Sequence, residues 1–89
     1  MTDKTVKAFL RYHHANVVDL ALEMVQLDRR EREAVELCGR QRLTLEEAAE
    51  VAGVSTCTMQ ERWAKARQRL AAAWSGLDWV ETLAEKSLN

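Results

Sequence analysis

Between Arg40 and Lys65 the chain carries side chains suited to polar recognition rather than to covalent chemistry. Thr56, Cys57, Thr58, Gln60 and Glu61 fall close together at the start of a run with helical spacing. On an exposed helix end these types match the edges of bases: a threonine methyl suits thymine, glutamine pairs with adenine, and glutamate accepts from cytosine. Arg40, Arg42, Thr44, Arg62 and Lys65 flank them, and their donors suit phosphate oxygens, contacts that set register more than sequence preference. No catalytic set accompanies them. The chain has no glycine-rich phosphate loop and no zinc-ligand spacing, and its glutamate-rich runs read as helix caps and solvated faces, so it is read as a non-enzyme. His13 and His14 are neighbours that point in different directions on a helix, with no second pair of ligands at helical spacing. They are read as solvated or partly buried histidines, and neither a metal nor another cofactor is expected.

The elements that must position these groups are legible from Leu43 to Leu70. Thr44 can cap a helix by accepting from its first free N–H groups, and Glu47, three residues on, can bond back to the cap. Ala48, Ala49 and Ala52 give that helix a small-residue side on which a second helix can cross at close range. Gly53 supplies a left-handed residue without a Cβ penalty and so ends the helix. Ser55 then offers a second cap, and Val54 before it can staple onto Met59. From there Met59, Trp63, Ala66, Leu70 and Ala73 form one apolar stripe, leaving the other faces for a partner. Two helices joined by one tight turn are the usual device for laying a helix in the major groove of duplex DNA.

This stretch resembles the helix-turn-helix of region 4 of bacterial sigma-70 factors. The resemblance rests on Thr44-Leu45-Glu46-Glu47, Ala49, Gly53-Val54-Ser55 and the basic tail from Ala64 to Leu70, with Leu27 to Leu37 similar to the family's preceding helix. It covers about half the chain or a little more, and it implies a DNA-binding domain of that fold. The family's first recognition turns are usually rich in arginine, where this chain has Thr56, Thr58 and Gln60.

At 89 residues the chain is expected to be a single domain over 1–89, a standalone small regulator rather than a complete sigma factor. Absence of proline, abundance of Ala, Leu, Glu and Arg, and lack of alternating β-branched runs predict an all-α fold. No apolar stretch is long enough for a membrane span, and Asp3, Lys4 and Lys7 interrupt any secretion signal, so a cytoplasmic protein is expected. Cys38 is read as a small core residue and Cys57 as a tolerated small residue at the groove-facing end, a redox role lacking any nearby resolving cysteine.

The net charge of −1 means that cations must be concentrated locally if phosphates are to be held. They are. Residues 29–42 hold Arg29, Arg30, Arg32, Arg40 and Arg42 against three glutamates, and residues 55–74 hold Arg62, Lys65, Arg67 and Arg69 against Glu61 alone.

About five helices are expected: a helix-turn-helix core with additional N- and C-terminal helices. The first spans 4–26, with Val6, Phe9, Leu10, Val17, Leu20, Ala21, Met24 and Val25 as its stripe. Asp28 and Glu31 box the second, which Gly39 ends, and the motif completes a region over 28–74. After Ser75-Gly76, Asp78 and Glu81 cap a last helix over 77–88 with Trp79, Val80, Leu83, Ala84 and Leu88 on its apolar face. The outer helices either pack on the back of the motif or join two copies into a homodimer, and for the last helix both readings stay open.

Two functions follow. The first is a transcriptional regulator of duplex DNA, of phage or mobile-element type, that inserts the helix after Ser55 in the major groove. The alternative is an interaction module on the same scaffold that contacts RNA polymerase, a sigma factor or another partner without reading bases.

Overall fold

In a computed structural model, residues 1–86 are described, and all their regular structure is helical. The order is α1 (Asp3–Tyr12), α2 (Ala15–Glu23), α3 (Arg29–Ala34) running into a π-helical segment (Val35–Arg40), α4 (Leu45–Ala52), α5 (Thr56–Trp74) and α6 (Asp78–Lys86). They form two compact units, one of residues 1–26 with the described residues from Arg67 onward, the other of Leu27–Ala66. Leu88, expected on the last apolar face, lies outside the described residues.

In the first unit, the helix expected over 4–26 is two helices. His13 and His14 leave helical geometry, with ψ of 156° and 141°. Each imidazole is used at the break. His13 Nε2 donates to the Leu83 carbonyl at 2.6 Å, and His14 Nδ1 accepts from the Asn16 N–H at 3.2 Å, capping α2. The break resets the helical phase, so α2 buries Val18, Ala21 and Leu22, while Leu20 and Met24 of the expected stripe are exposed.

Trp74 is fully buried in this unit, its ring edge-on to Phe9 with centroids 5.0 Å apart. Its indole N–H donates to the Ala21 carbonyl at 3.0 Å. Ala21 lies in the last turn of α2, where carbonyls run out of intrahelical donors, so the tryptophan supplies a partner that the helix cannot. Trp74 also replaces Ala73 as the end of the α5 stripe: Ala73 is exposed, because a step of four after Leu70 stays nearer the helical repeat than a step of three.

α6 packs on α1, with Val80 and Ala84 fully buried, so intramolecular packing accounts for that part of its apolar face. The helix begins at Asp78 rather than after it, since the Glu81 N–H bonds the Leu77 carbonyl at 3.0 Å. Asp78 and Glu81 therefore sit inside the first turn, where negative charge suits the helix dipole.

In the second unit, Asp28 caps α3 and Glu31 returns the bond, as the sequence predicts. Gly39 does not end this helix. It is buried within the π-helical segment, whose wider turn closes through the Gln41 N–H on the Glu36 carbonyl at 3.0 Å. Val35, Leu37 and Cys38 are buried alongside it, and the left-handed residue that redirects the chain is Arg42, at φ 58°. Ala34, Ala48, Ala49, Met59, Trp63 and Ala66 complete the buried apolar set of this unit.

Trp74→Phe keeps an aromatic ring but removes the donor to Ala21. It should lower stability by about 2 kcal/mol, read as a lower urea midpoint in the helical circular-dichroism signal. An unchanged midpoint contradicts the role given to that hydrogen bond.

Candidate nucleic-acid interface

All the sequence-predicted site residues fall in the unit Leu27–Ala66, and local hydrogen bonds fix the helices that carry them. Thr44 Oγ1 accepts from the Glu47 N–H at 3.1 Å, and Glu47 Oε1 accepts from the Thr44 N–H at 3.0 Å. The bond from the Thr44 backbone N–H first, and the Thr44 side chain second, hold the Glu47 carboxyl below its ordinary pKa.

Gly53 ends α4 in the left-handed conformation, at φ 71° and ψ 33°, and the following Val54 N–H closes on the Ala49 carbonyl at 3.0 Å. Two residues later the Ser55 hydroxyl accepts from the Thr58 N–H at 3.0 Å and donates to Thr58 Oγ1 at 2.9 Å. Met59 is fully buried and Val54 half-buried.

This frame divides the expected base-reading residues. Thr56, Cys57 and Gln60 are exposed on the opening turns of α5. Glu61 is exposed too, with the Cys57 thiol 3.9 Å from its Oε1. Thr58 is half-buried, and its hydroxyl is engaged by the Ser55 cap.

The expected phosphate contacts also separate. Arg62 and Lys65 line a cleft of about 300 Å³ with Thr58 and Glu61 of α5 and with Asp28, Arg30 and Glu31 at the start of α3. Arg40 lies at the end of the π-helical segment, half-buried and 3.6 Å from Glu36. Arg42 is exposed in its left-handed conformation, two residues before the Thr44 cap.

Arg30 is the residue that the sequence reading placed in a basic run without giving it a role. The cleft puts it opposite Arg62 and Lys65, and only the non-local meeting of α3 with α5 reveals this. Glu31 on the same wall is 2% exposed and is occupied by its own cap, Oε1 accepting from the Asp28 N–H at 3.1 Å. The cleft therefore sets three cations among three carboxylates, with Asp28 and Glu31 bonded in their own cap and Glu61 exposed, beside the exposed polar turns of α5. Among the described residues no helix is long and apolar enough to cross a membrane.

A left-handed residue that gains a Cβ pays about 1–2 kcal/mol. At Gly53 an added Cβ meets nothing within 4 Å, so the cost of Gly53→Ala is conformational alone. That change should lower the melting temperature by roughly 5–10 °C, and Gly53→Asn by less, since asparagine tolerates this region. Equal melting of Gly53→Ala and wild type contradicts the turn geometry.

Compared with known proteins, residues 24–72 match the family model described as Sigma-70, region 4. No curated protein and no solved structure matches.

Proposed function

The chain belongs to the sigma-70 region 4 family, whose members are helix-turn-helix DNA-binding domains, and on that premise we propose that it is a transcriptional regulator of duplex DNA. The opening turns of α5 enter the major groove. The observation that carries this reading is the paired capping of α4 and α5 around Gly53, which leaves Thr56, Cys57 and Gln60 exposed at the end of a rigidly entered helix.

Within the groove, the Gln60 amide is the group able to pair with adenine N6 and N7, and Thr56 offers a methyl to thymine. Glu61 accepts from a cytosine amino group, while Cys57 lies beside it as a small contact residue. Arg62 and Lys65, with Arg30 from the facing wall, supply phosphate donors that fix the register. A short side chain at position 56 or 57 demands close approach of the backbone to the base edges, which the exposed first turn permits. As a DNA-bound regulator, the protein works in the cytoplasm.

The uncharged character of Thr56, Cys57 and Gln60 favours a second reading, in which the same face contacts RNA polymerase or a sigma factor. The two readings differ in their response to salt. Each phosphate contact contributes about 0.9 to the slope of log affinity against log salt on duplex DNA.

In gel-shift titrations against a random duplex pool, binding should weaken steeply as salt rises. Arg62→Ala with Lys65→Ala should reduce the slope by about 2 and weaken all sequences alike. Gln60→Ala should instead change which sequences are selected. Absence of salt-dependent duplex binding, together with capture of RNA polymerase by the intact chain, contradicts the regulator and supports the second reading.

A further inference from the structure

α1 carries cations that the motif does not use. Lys4, Lys7 and Arg11 recur at i, i+3 and i+7, which places them on one face of the helix over about 10 Å of its axis. Lys4 and Arg11 are exposed and Lys7 is half-buried. Among the described residues, none of the three side chains takes part in an ion pair or hydrogen bond. Asp3, the one acid of α1, lies instead 3.4 Å from the Arg67 guanidinium. The stripe is thus left uncompensated by its own helix.

The opposite face of α1 narrows the partner. Val6, Phe9 and Leu10 are buried in the core of their unit, so the helix has no free apolar face to sink into lipid. What remains is a row of cations on flexible stems, able to follow regularly spaced negative charges and to release their counterions.

We propose that the Lys4–Lys7–Arg11 face of α1 is a second contact surface for the phosphate backbone of duplex DNA, separate from the motif and lying before the residues that match the family. The proposal rests on the DNA-binding reading of the chain. Its energetic logic is linkage: two weak polyanion surfaces on one chain hold a long polymer more tightly than either does alone. A protein of net charge −1 gains most from such local clusters, because its overall field attracts DNA little.

The test uses the full chain with Lys4→Gln, Lys7→Gln and Arg11→Gln combined. Glutamine keeps part of the aliphatic stem, so the melting temperature should hold while the charge is lost. Binding to a duplex longer than the motif's own footprint should lose about 2–3 from its salt slope and fall roughly tenfold or more at 0.1 M salt, irrespective of sequence. The charge-preserving variant with Lys4→Arg, Lys7→Arg and Arg11→Lys should keep the wild-type slope. If the combined glutamine variant melts early, Lys4→Gln alone should still lower the slope by about 1.

Several outcomes separate this proposal from the reading beneath it. Duplex binding reduced by Arg62→Ala and Lys65→Ala but unaffected by the glutamine changes overturns the α1 surface and leaves the motif standing. The reverse pattern supports the α1 surface and overturns phosphate contact by α5. No duplex binding by the intact chain overturns both. Stripe-dependent binding to phosphatidylglycerol vesicles, with duplex binding unchanged by the stripe, also overturns the proposal.

Discussion

The candidate interface depends on the left-handed turn at Gly53. A right-handed residue there would prolong α4 or carry the chain away at another angle, and α5 would not present Thr56 and Gln60 as it does. The turn is held from both sides. Thr44 and Glu47 fix the start of α4, the Val54 N–H closes its end, and Ser55 restarts the helix within two residues. Each bond is worth about 1 kcal/mol, but their common effect is geometric: they remove the freedom with which one helix could swing relative to the next. Burial of Ala48, Ala49, Met59 and Trp63 then makes that angle cooperative with the core of the unit.

Capping also bears on electrostatics. The chain has nearly as many cations as acids, so an anionic partner is attracted only if some acids are kept from the cationic surface. Glu31 and Glu47 each spend a carboxylate oxygen on the backbone of their own cap residue, and Asp3 faces Arg67. Arg62, Lys65 and Arg30 share one cleft with Asp28 and Glu31, which are bonded in their own cap, and with the exposed Glu61. Residues that stabilise the helix starts are thus acids whose charge is partly satisfied by backbone dipoles. Stability and recognition draw on the same pattern.

Much of this was legible in the sequence because it is local. The capping boxes at Asp28 and Thr44, the glycine turn and the second cap require only residues within about four positions of one another, and the structure places them as the spacing predicts. The box expected at Asp78 and Glu81 does not form, because Asp78 is already inside the helix. The division of the expected 4–26 helix was not legible, since His13-His14 contains neither proline nor glycine and its break is stabilised by the distant Leu83 carbonyl. The misplaced stripe at Leu20 and Met24 follows from that missed break. Gly39 misled for the opposite reason: a permissive residue marks where a helix can end, and here the chain uses it inside a buried π turn. Arg30 joined the site only through the non-local approach of α3 and α5, which no spacing rule encodes.

Contact between the opening turns of α5 and DNA can be read residue by residue in a nuclear magnetic resonance titration of the labelled chain with a selected duplex. Amide shifts should concentrate from Ser55 to Lys65, with the Gln60 side-chain amide among the most displaced and α2 little changed. Saturable binding that shifts α2 while leaving Ser55 to Lys65 unmoved would contradict it.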